Sequence, residues 1–255
     1  DLALVRGLAA LGHELMVVPL YTPLRLEGAV PQVIAPVFLG GINAYLQQLS
    51  PAFARLPGFL TRPLDSPGLL RWASRFAVRT DPARLGPMTV SVLQGRQGRQ
   101  RAELDRLLDF LQSQPPPDVV SITNSLLSAL APVIKERLGV PVICGLQGED
   151  AFLEAMPSRY RNQALDLIRS NARSIDRFIA PAHWYARHMT EFLGESPQRV
   201  AVVPPGVDVA AGHRDSAGAP QPAVIGYLSA ITPRKGLHLL VEAVAMLVLA
   251  EGRDL

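Results

Sequence analysis

The chain of 255 residues is poor in cysteine, aromatic residues and lysine. Cys144 is the only cysteine, so neither an intrachain disulfide nor a cysteine-ligated zinc site can form. Aromatic residues make up 6% of the chain, and no basic run with interleaved aromatics marks a nucleic-acid groove. We therefore expect no nucleic-acid partner. The net charge of +3 rests almost entirely on arginine, because Lys135 and Lys235 are the only lysines.

The chain also lacks a long hydrophobic run and a secretory leader. No stretch of roughly 18 apolar residues is free of charge, since even the most apolar stretch contains Glu242. The first residues have neither a basic start nor a cleavage pattern, so no signal peptide is predicted. We expect a cytoplasmic protein. The sequence begins inside a helical pattern and ends just after a helix, so we also expect an internal fragment of a longer protein.

What the chain does have is a regular alternation of short apolar segments with amphipathic ones. Strands are predicted at 118–122, 140–146, 177–180 and 199–203, with helices between them. An earlier segment, 89–93, is also predicted to be a strand, and 97–112 an amphipathic helix. The alternation is typical of the α/β class, with a parallel sheet covered on both faces. Ligands of such sheets bind at the carboxyl ends of the strands.

A change in composition divides the chain. Residues 209–222 are small and polar with proline and glycine, which is typical of a linker. Residues 223–227 begin a second alternating unit, and its first helix is predicted over 235–250. The sequence therefore predicts a first domain over 1–208, a linker over 209–222, and the first strand–helix unit of a second domain over 223–255.

Polar residues follow two neighbouring strands of the predicted sheet. They are Gln147, Gly148, Glu149 and Asp150 after one strand, and Asn124 and Ser125 after the strand before it. All six are therefore expected at one edge of the sheet, where they would line a cleft. Glu149 and Asp150 are candidate catalytic carboxylates, which can hydrogen-bond the hydroxyls of a ligand or take up a proton. The alternative for Asp150, Asn124 and Ser125 is helix capping.

A second polar group lies in the segment 226–236 and comprises Gly226, Arg234 and Lys235. Fixed cations in such a loop can bind the phosphate groups of a ligand and stabilise their negative charge. Arginine can bind two phosphate oxygens at once, whereas lysine acts as a point charge. The helix predicted after this loop adds its amino-terminal dipole. A solvated loop is the alternative.

A possible hinge follows the last strand of the first domain, at Pro204, Pro205 and Gly206. Two prolines fix the backbone and a glycine permits a sharp turn, so domain closure would use this point. An ordinary linker is the alternative. His183 and His188 share one predicted helix at i and i+5, which is the wrong spacing for a two-histidine metal face. No metal site is predicted.

These segments together resemble the GT-B glycosyltransferases of the family 4 type, relatives of glycogen and sucrose synthases. The matching stretches are Gly7–Glu14, Pro117–Val120, Leu138–Ile143, Ser174–Ala180, Val202–Asp208 and Gly226–Gly236. The resemblance implies two Rossmann-like domains with a cleft between them. It implies retaining transfer of a sugar from a nucleotide-diphosphate sugar to a hydroxyl of a carbohydrate or lipid-linked acceptor, without a cofactor. The first domain would bind the acceptor and the second the donor.

The chain departs from the family pattern at several positions. Pro205 replaces the usual asparagine of the interdomain crossover, and Tyr227 stands where a cation usually follows the glycine of the donor loop. Gln147–Asp150 stands where many relatives have a histidine-containing motif. The family's glycine-rich loop and its paired glutamates have no counterpart in this sequence, so we expect the chain to be inactive on its own.

Two other interpretations stay open. One is a different GT-B enzyme, such as a nucleotide-sugar epimerase, and the other is a non-catalytic domain that binds carbohydrate or lipid. The arginine-rich segment 55–106 has apolar residues between its cations, which fits an amphipathic helix packed on the core or peripheral contact with anionic lipid. The inner face of the membrane is therefore an alternative location. The sequence carries no signal for an oligomeric state.

Overall fold

The computed structural model describes residues 2–20, 38, 82–206 and 225–250. The chain divides into two compact units, Asp1–Val207 and Asp208–Leu255. The helices of the first unit are α1 (Leu2–Ala10), α2 (Pro82–Leu93), α3 (Arg101–Gln112), α4 (Leu130–Leu138), α5 (Glu149–Glu154), α6 (Ser158–Ala172) and α7 (His183–Leu193). Its strands are β1 (Val120–Ile122), β2 (Val142–Gly145), β3 (Arg177–Ala180) and β4 (Val200–Val202). The second unit contains a 3₁₀ turn, Pro233–Lys235, followed by α8 (Leu237–Ala250).

The four strands form one parallel sheet in the order β1-β2-β3-β4. In its register Val120 lies opposite Val142, Ile143 opposite Arg177, and Phe178 opposite Val200. Helices occupy all three connections, as neighbouring parallel strands require. The α/β class and the parallel sheet predicted from the sequence are therefore confirmed, and the carboxyl ends of the strands lie at a common edge.

Among the described residues, the buried strand side chains of the first unit lie on one face of this sheet. Strand side chains alternate between the two faces, and Val142, Cys144, Phe178 and Ala180 are all fully buried. Helix α4 packs against β2, and α7 packs against β3 and β4. Each large apolar side chain buried in this layer contributes about 1.5–3 kcal/mol relative to exposure. The layer therefore supplies a rigid base for the loops at the carboxyl edge.

Asp176 fixes the opposite, amino-terminal edge of the sheet. Its carboxylate accepts hydrogen bonds from the Val142 amide at 2.8 Å and from Lys135 Nζ at 2.7 Å. Burial works against ionisation, but these two bonds outweigh it and lower the pKa of Asp176. Helix α4 ends beside this contact at Gly139, which adopts φ +69° where other residues would be strained. The start of β2 is thereby tied to the end of the preceding helix.

The prediction of a strand at 89–93 is wrong, because this segment is the last part of α2. The helix packs against α6, with the Leu93 carbonyl accepting a hydrogen bond from Asn171 Nδ2 at 3.0 Å. The Thr89 hydroxyl donates a hydrogen bond to the Leu85 carbonyl one turn earlier, so the polar group has a partner within the helix. Tertiary packing therefore overrides the strand preference of a short β-branched run.

Other boundaries shift or lie outside the described residues. The helix predicted over 97–112 begins at Arg101, after a 3₁₀ turn at Gly95–Gln97. Residues 225–227, the described part of the predicted strand 223–227, have no strand assignment. The predicted linker and residues 55–81 of the arginine-rich segment lie outside the described ranges. Among the described helices, none combines the length and hydrophobicity that a membrane crossing requires.

Candidate active site

The loops that follow β1 and β2 are tied together by Glu149. This first residue of α5 is only 4% exposed. One carboxylate oxygen, Oε1, accepts a hydrogen bond from the Ser125 amide at 2.7 Å, and Oε2 accepts one from the Gln147 amide at 2.6 Å. Hydrogen bonds to an ionised acceptor are short and strong, so the carboxylate holds the two loops in one arrangement. The catalytic role predicted for Glu149 stays a prediction.

Gly148 makes this arrangement possible. It precedes α5 with φ +95°, a left-handed conformation that side chains other than glycine rarely adopt. The turn lets the Glu149 carboxylate reach back to the amide of Gln147. Glu149 and Asp150 both lie in the first turn of α5, where the helix dipole favours negative charge.

Asp150 is the centre of a second network, here called the Asp150 cluster and comprising Asp150, Tyr185 and His188. The Tyr185 hydroxyl donates to Asp150 Oδ1 at 2.8 Å and accepts from the Gly148 amide at 2.6 Å. Asp150 Oδ2 lies 3.0 Å from His188 Nε2. Helix α7 supplies both partners, so the cluster joins the loop after β2 to the helix after β3.

The charges of the cluster follow from these contacts. Burial of Asp150 opposes ionisation, but hydrogen bonds from Tyr185, the Ala151 amide and His188 prevail and lower the pKa of Asp150. Burial, with the nearby negative charges of Asp150 and Glu149, raises the pKa of Tyr185, which stays a phenol. The tyrosine has one proton, and the Oη contact to Asp150 is shorter than its 3.3 Å contact to Glu149. Asp150 is therefore the ionised, hydrogen-bonded acceptor of the cluster.

His188 exposes more of its side chain than Asp150 does. Its side chain is 32% exposed, whereas that of Asp150 is 15% exposed. Because Asp150 is ionised, Nε2 of His188 carries the proton that faces it. In the neutral ring Nδ1 is then left as an acceptor. A carboxylate-oriented imidazole of this kind can accept a hydrogen bond from a hydroxyl at Nδ1.

The structure brings the other residues predicted for this edge close to Glu149. Asn124 Oδ1 accepts a hydrogen bond from the Leu126 amide at 3.1 Å and so caps the 3₁₀ turn Ser125–Leu127. Ser125 is fully buried, and its Oγ is without a hydrogen-bond partner in the described part of the chain. Gln147 is exposed. The capping proposed for Asn124 is therefore present, and the binding roles of Asn124, Ser125, Gln147 and Gly148 stay predictions.

The predicted hinge begins directly after β4. The Val203 amide donates to the Ala180 carbonyl at 2.9 Å, which extends the pairing of β4 with β3 by one residue. Pro204 and Pro205 have no amide proton, so they cannot continue the ladder. Both prolines and Gly206 are exposed and irregular in conformation. Their role as a hinge stays a prediction.

In the second unit, Arg234 and Lys235 lie in the 3₁₀ turn that precedes α8, and both are exposed. The Tyr227 hydroxyl lies 3.3 Å from the Lys235 carbonyl oxygen and helps to hold the turn. A side chain built at Gly226 would meet nothing within 4 Å among the described residues, so space alone does not require glycine there. The phosphate-binding roles of these three residues stay predictions.

Tyr185 and His188 were not predicted as members of the site. They lie at i and i+3, so they share one side of α7. Helices that follow neighbouring parallel strands begin at the same edge of the sheet. The sequence does contain a signal for this contact. One helix has acidic residues in its first turn, and the helix after the next strand has a tyrosine and a histidine in its first two turns.

Comparison with known proteins now identifies the family. The family described as glycosyl transferase 4-like domain matches residues 2–206. The chain belongs to this family. The resemblance inferred from the sequence motifs is confirmed, and Glu149 and the Asp150 cluster lie within the matched region.

A curated relative is similar over part of its length. The D-inositol 3-phosphate glycosyltransferase of Segniliparus rotundus is 32% identical to the chain over 131 residues. This alignment covers 47% of the chain and 29% of that relative. The matched region therefore spans less than a third of the relative's length.

Proposed function

We propose that this chain contains the acceptor-binding part of a retaining glycosyltransferase that uses a nucleotide-diphosphate sugar. The observation that carries the proposal is that Glu149 fixes two loops at the carboxyl edge of the sheet, next to the Asp150 cluster. Both lie in the region that matches the glycosyl transferase 4-like family. A fixed set of polar groups at this edge can orient a sugar hydroxyl for attack, which removes much of the entropic cost of the reaction.

The acceptor is a polyhydroxylated ring. Asp150 and His188 offer hydrogen-bond partners to its hydroxyls, and exposed Gln147 lies on the neighbouring loop. The D-inositol 3-phosphate glycosyltransferase that the chain matches is named for a ring of this chemistry. A lipid-linked sugar has the same hydroxyl chemistry and places the protein at the cytoplasmic face of a membrane.

The donor is bound through its diphosphate by Arg234 and Lys235. Both cations are exposed and precede α8, whose amino-terminal dipole adds to their attraction for phosphate. In this scheme the sugar–phosphate bond breaks as the acceptor oxygen bonds to the anomeric carbon. The departing nucleoside diphosphate takes the negative charge, and one of its oxygens takes the acceptor proton. The anomeric configuration is retained.

The test is nucleotide binding by the complete gene product and its Lys235→Ala variant. Losing a hydrogen bond to a charged group costs about 1.5–3 kcal/mol, so affinity for the matching nucleotide sugar falls roughly ten- to a hundredfold. Calorimetric titration with a panel of nucleotide-diphosphate sugars measures it. Lys135→Ala is the matched control, because it removes the other lysine, which pairs with Asp176 at the amino-terminal edge of the sheet.

Equal affinity of the wild type and Lys235→Ala would contradict the donor assignment. Absence of nucleotide-sugar binding by the wild type would contradict the proposal as a whole and favour a non-catalytic binding domain. Conversion of the nucleotide sugar without any acceptor would instead indicate an epimerase.

A further inference from the structure

Trp184 is a large aromatic side chain in the first turn of α7, directly after β3. It is 65% exposed, although its helix packs against the core of the first unit. A single exposed apolar side chain is ordinary on a protein surface. Trp184 differs from such a residue in being held in a defined orientation beside the Asp150 cluster.

One face of the Trp184 indole rests on His188. The two ring centroids are 5.3 Å apart and the planes are inclined by only 5°. His188 in turn stacks against Phe192, with centroids 6.0 Å apart. The three rings follow one another at i, i+4 and i+8 along one side of α7. The imidazole contacts the indole on one side, and most of the Trp184 side chain stays exposed.

The hydrogen bond from His188 Nε2 to Asp150 fixes this stack in place. The imidazole therefore cannot turn away without losing its carboxylate partner. Tyr185 hydrogen-bonds to the other oxygen of Asp150 and accepts a hydrogen bond from the Gly148 amide, so the same carboxylate also contacts the turn at Gly148 through Tyr185. An ordered apolar surface of this kind binds a flat ligand without the cost of ordering a mobile side chain.

The position of Trp184 along α7 places it at the site. Helix α7 starts where β3 ends, so its first turn lies at the carboxyl edge of the sheet. Trp184 precedes His188 by one turn and is therefore nearer this edge. The exposed indole therefore lies beside His188, whose imidazole is hydrogen-bonded to Asp150.

We propose that Trp184 is the stacking platform for the acceptor ring, a pyranose or a cyclitol, while His188 and Asp150 bind hydroxyls at the rim of that ring. This inference rests on the proposed function. Such rings carry weakly positive C–H groups on a face and hydroxyls around the edge. An indole presents a negative face to those C–H groups. An apolar wall with a few convergent polar groups is the usual composition of a small-molecule site.

The chain allows a direct measurement, because Trp72 and Trp184 are its only tryptophans. In the complete gene product any further tryptophans are likewise replaced by phenylalanine together with Trp72, so that Trp184 is the sole reporter. Its emission is followed during titration with D-inositol 3-phosphate, myo-inositol and the methyl glycosides of common hexoses. Nucleoside diphosphates form a separate arm. The expected result is saturable quenching or a blue shift with at least one ring compound and no response to nucleotides.

Substitution then separates binding from structure. For the responding ring, Trp184→Ala is expected to weaken binding about tenfold, and Trp184→Phe about threefold, because a smaller flat ring remains. The acceptor KM should rise in parallel while kcat stays within about twofold, which marks binding shared by ground and transition states. Leu11→Ala, which also removes an exposed apolar side chain, should change neither constant. The urea midpoints of all three variants should match that of the wild type.

Three results would overturn the proposal. The first is an emission that changes with no ring compound, and the second is an emission that responds to nucleoside diphosphates alone. The third is that Trp184→Ala binds the ring compound as tightly as the wild type does. If the wild type transfers sugar and Trp184→Ala has an unchanged acceptor KM, the stacking role of Trp184 is refuted and the proposed function stays intact. A wild type that binds rings through Trp184 but transfers no sugar would refute the proposed function and leave the platform intact.

Discussion

Replacing Glu149 by glutamine removes one acceptor oxygen from a buried carboxylate and hardly changes the volume of the side chain. The two carboxylate oxygens now accept from the amides of Ser125 and Gln147. Glutamine has a single carbonyl oxygen, so its NH₂ group would face one of the two amides, donor against donor. That amide would lose its hydrogen-bond partner.

The cost follows from the lost interaction. A hydrogen bond to a charged group contributes about 1.5–3 kcal/mol, and an unsatisfied buried donor costs about 1–3 kcal/mol. The two figures largely describe the same lost hydrogen bond, so they are not added. We expect Glu149→Gln to lower the free energy of unfolding by about 2–3 kcal/mol. With a urea dependence of about 2 kcal/mol per molar, the midpoint falls by about 1 M.

The assay is urea unfolding followed by far-ultraviolet circular dichroism. Glu154→Gln is the matched control, because Glu154 is an exposed residue at the end of the same helix, and its change should stay within about 0.5 kcal/mol. A wild-type midpoint for Glu149→Gln would refute the argument that this carboxylate holds the two loops. Its charge would then be available for the chemical role that the sequence predicts.

Three further predictions concern neighbouring residues. Cys144 is fully buried, and burial together with the charge of Glu149 raises the pKa of its thiol, so a thiol reagent should label it only when the sheet opens; immediate labelling of the native protein would contradict this. Gly145→Ala should lower the free energy of unfolding by about 1–3 kcal/mol, because its Cβ would lie 2.6 Å from the Thr123 carbonyl oxygen, and an unchanged melting temperature would argue against it. Folding lowers the pKa of Asp150, so the ionised side chain stabilises the folded protein. This stabilisation is fully present above the pKa of the unfolded state, about 3.9, and is lost as the pH falls through the lower pKa of the folded state. Asp150→Asn should therefore lose less stability than the wild type between neutral pH and about pH 3, and parallel acid-unfolding curves would refute the assignment.

The strand–helix alternation could be predicted because it depends on local patterns. Short β-branched runs separated by amphipathic segments specify parallel strands with helical connections. The strand at Arg177–Ala180 has the predicted bounds. The topology then places Asn124 and the turn at Gly148 at one edge of the sheet, because the strands before them are parallel neighbours.

Features that depend on distant contacts could not be predicted. The segment 89–93 has the composition of a strand, and its packing against α6 makes it a helix. The adjacent carboxylates Glu149 and Asp150 look alike in the sequence. The turn at Gly148 directs the first into the protein interior. The second meets Tyr185, which is 35 residues away in the chain, and only the assembled sheet edge brings the two together.

The most direct test of the account is acceptor-dependent transfer by the complete gene product. Nucleotide-diphosphate sugars are incubated with D-inositol 3-phosphate and with sugar acceptors, and the released nucleoside diphosphate and the glycosylated acceptor are both quantified. We expect that, for at least one pair, the two products form in equal amounts and only when donor and acceptor are both present. Turnover of the nucleotide sugar that is the same with and without acceptor, or no turnover of any pair, would contradict it.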